Sequence, residues 1–317
     1  MRPCRTLALF LWSLFLGFPT ADTEAARAGQ GDPAVTRIAY VCPTWEEAVK
    51  LTDVEKYSTE DEYAGACDGR YVIEKVRYRS DGLAVIAYFY RPQNFEGVKR
   101  PVIVFNRGSY VRADIAPELL SMFHRLASDG FAVVAPMYRG SDGGEGRDEM
   151  GGADVNDLTS IIPVLSQLDS LDTRNVFLYG ESRGGMMVFQ AMRDGFPARA
   201  AATFGAFTDL DEMTTSGQGA AMAKTIWPDW DERRNEIIAR RSAIQWPERL
   251  QLPLLLMHGS EDPQVPPSQT LLLAARIAST QKEIGVVVFP GGNHTLQQHR
   301  VERDRLAVEF FRRYLVK

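Results

Sequence analysis

Short, continuously apolar runs recur at helix-sized intervals through the later part of the chain. They lie at 101–105, 131–135, 176–179, 199–204, 252–257 and 285–289. Runs that are apolar on both faces are typical of parallel strands covered by helices on each side of a sheet. Amphipathic stretches lie between several of them, so strand and helix alternate. The pattern predicts an α/β protein with a mainly parallel, doubly wound sheet.

The clearest amphipathic stretch spans 155–168. Its apolar residues, among them Val155, Leu158 and Leu165, recur at steps of three and four, which places them on one face of a helix. Asp154 directly precedes this stretch. Aspartate at that position accepts hydrogen bonds from the first free backbone N–H groups of a helix, so Asp154 is the predicted N-cap.

Two further regions complete the predicted architecture. Strand-like segments at 71–79 and 83–90 are joined by a short turn that contains glycine, which predicts an antiparallel hairpin ahead of the parallel strands. Residues from about 206 to 250 contain three tryptophans, many charges and no strand-like run, so a helical cap insertion is predicted there. No tandem repeat is present, and residues 29–317 are predicted to form one domain.

The first residues have the three-part layout of a secretory signal peptide. Two arginines precede an apolar run at 7–18, and small residues follow, with cleavage predicted after Ala28 or, alternatively, after Ala25. The run has about 12 residues, whereas a helix needs roughly 20 to span a bilayer. We therefore expect residues 1–28 to be removed and the mature protein to be secreted or periplasmic, without a membrane partner.

Cysteine usage and charge narrow the class of protein further. Cys4 lies within the predicted signal, which leaves Cys42 and Cys67 on either side of a helical candidate at 45–54. An oxidising compartment favours a disulfide between them, although two unpaired buried thiols are the alternative. The formal net charge is −5 and the charges are interspersed, so nucleic acid is not an expected partner. The expected partner is a small peptide or ester substrate.

Ser182 lies at the centre of a Gly-x-Ser-x-Gly pattern over 180–184. An apolar strand precedes the pattern and a helix follows it, as at the turn that exposes the nucleophile of α/β-hydrolases. The small neighbours are needed because bulkier residues would clash at so sharp a turn. Ser182 is therefore the predicted nucleophile.

A serine hydroxyl needs a base to remove its proton, and in this fold the order along the chain is Ser, Asp, His. Asp262 follows the strand at 252–257, and His294 follows the strand at 285–289. Both loops lie at the carboxyl ends of their strands, where α/β sheets bind ligands. Ser182, Asp262 and His294 are thus predicted to form a catalytic triad.

Rival residues stand near each member of the predicted triad. Glu261 competes with Asp262, which is preferred because it occupies the position before the Pro-x-Val-Pro turn. His258 follows its strand directly and is predicted to be a packed structural histidine. His299 lies where a C-terminal helix should begin and is predicted to be a solvated residue, which leaves His294 as the base.

An oxyanion hole requires two hydrogen-bond donors. One is expected from the backbone N–H of Arg183, the residue after the nucleophile. The other is expected from the loop after the strand at 101–105, where the backbone N–H of Arg107 and the side chain of Asn106 are the alternatives and Gly108 permits a tight turn.

The substrate pocket is predicted from the aromatic residues near this edge of the sheet. Tyr110 lies in the same loop as the second oxyanion donor, and Trp227 and Trp230 lie in the cap. They are candidates for lining an acyl or side-chain pocket. The alternative for the tryptophans is packing of the cap helices onto the body of the protein.

Several motifs together resemble the catalytic domain of the prolyl oligopeptidase family of serine peptidases. In chain order they are 138–146, 151–157, 180–185, 258–266 and 292–294. The resemblance implies an α/β-hydrolase fold and assigns the triad to Ser182, Asp262 and His294. It implies a serine hydrolase that cleaves an amide or ester bond through an acyl-enzyme.

The sequence is also compatible with two functions other than a peptidase. One is a carboxylesterase of the same fold, and the other is a non-catalytic hydrolase-fold protein that binds a ligand. No Cys/His cluster at metal-ligand spacing, phosphate loop or Gly-x-Gly-x-x-Gly after a strand occurs in the sequence, so neither a metal nor a cofactor is implied.

Overall fold

A nine-stranded mixed sheet forms the centre of the computed structural model, which describes residues 35–94, 97–110, 115–215, 217–279 and 283–317. The predicted signal peptide lies outside the described residues. The strands are β1 (Val35–Ala39), β2 (Tyr71–Ser80), β3 (Leu83–Pro92), β4 (Arg100–Asn106), β5 (Ala132–Pro136), β6 (Leu171–Glu181), β7 (Ala200–Phe204), β8 (Leu254–Gly259) and β9 (Ile284–Phe289).

The strand order across the sheet is β1-β2-β3-β5-β4-β6-β7-β8-β9. The pairs β1–β2, β2–β3 and β3–β5 are antiparallel, and all pairs from β5–β4 to β8–β9 are parallel. The predicted parallel sheet with an N-terminal antiparallel hairpin is therefore confirmed. Strand β1 was not predicted, because its five residues are only partly buried at the sheet edge and carry little apolar signal.

Helices cover both faces of this sheet. They are α1 (Trp45–Leu51), α2 (Glu60–Ala66), α3 (Ala116–Ser128), α4 (Val155–Thr159), α5 (Ile161–Leu165), α6 (Arg183–Arg193), α7 (Leu210–Thr215), α8 (Gly217–Ile226), α9 (Trp230–Arg241), α10 (Pro267–Ala278) and α11 (Arg300–Arg312). Within the described residues, none of these helices combines the length and apolarity needed to cross a membrane.

Two hydrophobic clusters lie on opposite faces of the sheet. In β4, Val102 and Val104 belong to the cluster that packs against α4 to α10, whereas Ile103 and Phe105 belong to the cluster with α1, α2, α3 and α11. Successive side chains of a strand point to opposite faces, so burial of both faces explains why the strand is continuously apolar. Each parallel strand thereby brings its carboxyl end to one edge of a rigid, doubly covered sheet.

The predicted helix at 155–168 is corrected by the structure. It consists of the two short helices α4 and α5, because Pro163 lacks a backbone N–H and its ring clashes with the carbonyl group four residues earlier. Asp154 makes no N-cap hydrogen bond to α4. Its carboxylate instead accepts hydrogen bonds from the backbone N–H groups of Gly151 and Gly152.

Helices also occupy the region of the predicted cap. Between β7 and β8 the chain forms α7, α8 and α9, followed by 3-10 turns at Ala243–Gln245 and Pro247–Arg249. On the other side of the protein, a disulfide joins Cys42 to Cys67 as predicted, with their Cα atoms 6.1 Å apart. Closing a loop of this length stabilises the fold by about 3–4 kcal/mol in the chain-entropy description.

Candidate active site

Ser182 occupies a sharp turn between the end of β6 and the start of α6. Its φ of 53° and ψ of −121° are unusual for a residue with a side chain. Neighbouring glycines make the turn possible: a Cβ at Gly184 would lie 1.9 Å from the carbonyl oxygen of Asn106. The turn leaves the hydroxyl of Ser182 facing a cavity rather than the interior.

The structure brings Ser182, His294 and Asp262 into one hydrogen-bonded chain. The Nε2 atom of His294 lies 2.9 Å from the Ser182 hydroxyl, and its Nδ1 atom lies 2.8 Å from Oδ2 of Asp262. All three stand just beyond the carboxyl ends of parallel strands. The arrangement can pass a proton from the serine to the histidine while the aspartate holds the imidazole in place.

Asp262 is fixed on both of its oxygens. Its Oδ1 accepts hydrogen bonds from the backbone N–H groups of Gln264 and Val265 at 2.8 and 2.9 Å. Burial alone would raise the pKa of Asp262, but hydrogen bonds from His258, His294 and Val265 outweigh it and hold the pKa well below the ordinary value. Asp262 therefore stays ionised beside the base.

The rival residues lie elsewhere. The neighbouring Glu261 is exposed, and the Nε2 atom of His299 lies 3.1 Å from the carbonyl oxygen of Pro290. Neither lines the cavity that Ser182 faces.

The loop after β4 lies beside the nucleophile, and the Arg107 side chain holds its backbone in place. The buried guanidinium of Arg107 donates hydrogen bonds to the carbonyl oxygens of Gly108 and Tyr110 at 2.8 and 3.0 Å. A Cβ at Gly108 would lie 3.3 Å from the Cβ of Ser182. Glycine thus allows the loop backbone to approach the serine closely.

The two predicted candidates for the second oxyanion donor are corrected by this geometry. The Asn106 amide is fully buried, donates to the carbonyl oxygen of Val104 at 3.1 Å, and accepts from the Tyr138 hydroxyl at 3.2 Å. Neither Asn106 nor Arg107 lines the cavity, whereas Gly108 does. The candidate donor therefore moves along the loop to Gly108.

Comparison with known proteins places this geometry in a family. The prolyl oligopeptidase family model matches residues 118–317. An uncharacterised peptidase of Bacillus subtilis, YtmA, is 29% identical over 162 residues, which are 50% of this chain and 63% of YtmA. The acylamino-acid-releasing enzyme of Rattus norvegicus is 27% identical over 199 residues, 56% of this chain and 26% of that enzyme. The structure of an acylaminoacyl peptidase of Pyrococcus horikoshii superimposes on this chain with a TM-score of 0.65 and 25% sequence identity. The superposition covers 78% of this chain and 42% of the Pyrococcus chain.

The family model covers more than half of the chain and includes Ser182, Asp262 and His294. The chain belongs to the prolyl oligopeptidase family. The membership confirms the predicted α/β-hydrolase fold and favours a serine peptidase over a non-catalytic binding protein. The chain spans 63% of YtmA and 42% of the Pyrococcus peptidase.

In this family member, Arg183 has a larger role than its backbone N–H suggests. Its fully buried side chain donates hydrogen bonds to both carboxylate oxygens of Asp148 at 2.6 and 2.7 Å, to Asp154 at 2.6 Å and to the carbonyl oxygen of Ser109 at 3.0 Å. The guanidinium also lies 4.4 Å from the ring centroid of Tyr138. Arg183 thereby joins the nucleophile turn to the Gly108 loop, a link that sequence reasoning missed.

His258 is packed, as predicted, but it also contacts the triad. Its Nε2 atom lies 2.9 Å from the carbonyl oxygen of Val265 and 3.0 Å from Oδ2 of Asp262. Both partners are acceptors, so Nε2 carries a proton and donates it. Its Nδ1 atom lies 2.7 Å from the Thr270 hydroxyl. Asp262 is therefore held between two histidines.

A cavity of about 480 Å³ opens in front of Ser182. Gly108, Ser109 and Tyr110 line one side of it, and cap residues including Met213, Met222 and Ile226 line another. The wall is mainly apolar, with Phe207 and Val265 among its members. Of the predicted pocket residues, Tyr110 is therefore in place.

The two predicted cap tryptophans do not line this cavity. Trp227 and Trp230 are each 4% exposed and stack on one another with ring centroids 5.6 Å apart. The indole N–H of Trp227 donates to the carbonyl oxygen of Glu149 at 2.9 Å. Their role is packing of the cap against the body, which is the alternative that the sequence left open.

Proposed function

We propose that this protein is a serine peptidase that cleaves an amide bond through an acyl-enzyme. The observation that carries the proposal is the unbroken chain from Ser182 through His294 to Asp262, with contacts of 2.9 and 2.8 Å. Ser182 attacks the substrate carbonyl carbon while its proton passes to Nε2 of His294. The protonated imidazole gives that proton to the leaving amine as the C–N bond breaks, and water then hydrolyses the ester intermediate by the same route.

The negative charge on the carbonyl oxygen is stabilised by two backbone donors in this mechanism. We assign them to the N–H groups of Arg183 and Gly108, which both border the cavity next to Ser182. The Arg107 and Arg183 side chains donate hydrogen bonds to backbone carbonyl oxygens of the loop that contains Gly108. These bonds hold the loop in place, so the donors need no reorganisation during the reaction. Preorganised donors of this kind supply a large share of the rate enhancement in acyl transfer.

The apolar cavity supports a substrate with an apolar residue on the acyl side of the scissile bond. Cap side chains such as Met213 and Met222 are flexible and polarisable, which suits them to irregular apolar groups. The rat relative is an acylamino-acid-releasing enzyme, and a short blocked peptide fits the same chemistry. An ester with an apolar acyl group would enter the same site.

Labelling with a fluorophosphonate probe tests the nucleophile. We expect the wild-type protein to be labelled and the Ser182→Ala variant to remain unlabelled, with hydrolysis reduced about 10⁴- to 10⁶-fold. The control is Ser166→Ala, which removes an exposed hydroxyl and should label like the wild type. Equal labelling of Ser182→Ala and wild type would refute the assignment.

Hydrolysis of a p-nitrophenyl ester with no cleavage of a matched peptide amide would refute the peptidase in favour of the esterase.

A further inference from the structure

Glu181 directly precedes the nucleophile, and its side chain has no assigned role in the mechanism above. The residue is 8% exposed and lines both the active-site cavity and a small adjoining crevice. Among the described residues, no backbone or side-chain group donates a hydrogen bond to its carboxylate. In the part of the chain that the structure describes, the carboxylate therefore pairs with no protein group, and its oxygens are accessible from the cavity and crevice that the residue lines.

Nearby cations do not supply the missing partner. Each cation that lines the crevice already pairs with another carboxylate at 2.8–3.0 Å: Lys56, Arg125, Arg300 and Arg303. Burial raises the pKa of Glu181, and the charge of Arg303 offsets this only in part. The carboxylate thus lies in an environment that leaves its charge uncompensated.

The position of Glu181 places this unmet charge beside the scissile bond. Its carboxyl carbon lies 3.6 Å from the point where a Cβ would stand on Gly108, and that point is 3.3 Å from the Cβ of Ser182. Tyr57 and Thr295 line both the cavity and the crevice with it. A group bound to Glu181 would therefore contact the reacting part of a substrate.

We propose that Glu181 binds a cationic group of the substrate, an alkylammonium or a guanidinium, next to the bond that is cleaved. The inference rests on the proposed function and adds a substrate class to it. A cation supplies both the hydrogen-bond donors and the opposite charge that the site lacks. Two parts of a peptide carry such a group: the free α-amino group on the acyl side and a lysine or arginine side chain on the leaving side.

Matched pairs of peptide amides test the proposal and separate the two sources. One pair differs by a free or acetylated α-amino group on the acyl side, and the other by lysine or norleucine on the leaving side. We expect wild-type kcat/KM to favour the cationic member of one pair by about 10- to 100-fold, the usual range for a hydrogen bond to a charged group. In Glu181→Gln the preference should fall to about 2-fold or less.

The matched control is Glu261→Gln, which removes an exposed carboxylate from the neighbouring Asp262 loop and should retain the wild-type preference. Thermal unfolding of each variant checks that it is folded. A preference that survives Glu181→Gln, or a wild type that cleaves both members of both pairs equally, would overturn the proposal.

Binding to the Ser182→Ala variant tests the inference without turnover. Calorimetry with the same peptide pairs should give about 10-fold or tighter binding for one cationic member. If that member binds more tightly but the wild-type protein hydrolyses neither pair, the proposed peptidase activity is refuted and the Glu181 site is retained. Equal binding of charged and neutral members would overturn the Glu181 site even if the wild type hydrolyses both.

Discussion

Two charged residues flank Ser182, and their surroundings are opposite. Arg183 is fully buried and has two carboxylates, a carbonyl oxygen and an aromatic ring as partners. Glu181 is nearly as buried, but among the described residues it has no hydrogen-bond donor. The same strand-to-helix turn therefore holds one charge that the protein has neutralised and one that it has not.

The difference separates a structural charge from a recognition charge. A buried ion pair with complete hydrogen bonding fixes the positions of the segments that it joins, even where its net contribution to stability is small. A charge that lines a cavity and has no protein partner is open to a complementary group from outside, which supplies the hydrogen bonds that the protein does not. We therefore interpret Arg183 as scaffold and Glu181 as part of the substrate site.

Removing the positive charge of Arg183 should have the largest effect on stability. The Arg183→Met substitution leaves Asp148 and Asp154 buried without their cation, and breaking such a pair costs about 3–5 kcal/mol. Urea unfolding monitored by circular dichroism measures the loss. The control is Arg174→Met, whose arginine pairs with Asp172 at the surface and whose loss should leave the unfolding midpoint nearly unchanged. An Arg183→Met protein as stable as the wild type would contradict the scaffold role.

The sequence predicts the catalytic triad better than it predicts the partners of Arg183. Ser182, Asp262 and His294 each follow an apolar strand and lie in short segments with their own local pattern, so topology alone brings them to one sheet edge. Arg183 finds Asp148 and Asp154, which lie 35 and 29 residues earlier in the chain. No periodicity links them, because the pairing depends on how the loops fold over the sheet.

Other features escape the sequence for related physical reasons. Trp227 and Trp230 were predicted at the pocket because large aromatic side chains suit a binding wall, but they also stabilise a core when they stack. Packing decides between the two, and a one-dimensional pattern does not describe packing. The unpartnered carboxylate of Glu181 is harder still, since the lack of a donor is a property of every neighbour in space.

Asp262 is an intermediate case between Arg183, which has two carboxylate partners, and Glu181, which has no hydrogen-bond donor among the described residues. Removing the His258 donor from Asp262 tests this case. In His258→Leu, the Oδ2 atom of Asp262 keeps only its contact with His294, so the carboxylate is oriented less firmly. We expect kcat to fall about 10- to 100-fold with little change in KM, as a positioning role requires. His258→Gln retains an N–H donor at this site and should restore part of the lost kcat. Wild-type kcat in a folded His258→Leu protein would show that the second histidine contributes packing alone.

The smallest expected effect concerns the pH dependence of stability at Glu181. The groups whose charges act on its carboxyl are Arg303, His294, Glu118 and Asp304. Because burial raises the folded-state pKa of Glu181, the folded protein binds this proton more tightly than the unfolded chain does. Its contribution to stability is therefore present below the unfolded pKa and is lost as the pH rises through the folded pKa. The lowered pKa of Asp262 acts in the opposite sense, since its contribution is lost as the pH falls.

The Glu181→Gln variant isolates this contribution. Glutamine cannot ionise, so the stability of the variant relative to wild type should increase as the pH rises above the ordinary pKa of glutamate and then level off above the raised folded-state pKa. Urea unfolding from pH 4.5 to 8 measures the difference, and Glu261→Gln, which removes an exposed carboxylate, serves as the control. Parallel curves for Glu181→Gln and wild type would mean that Glu181 has a partner in solution, and the contrast with Arg183 would no longer hold.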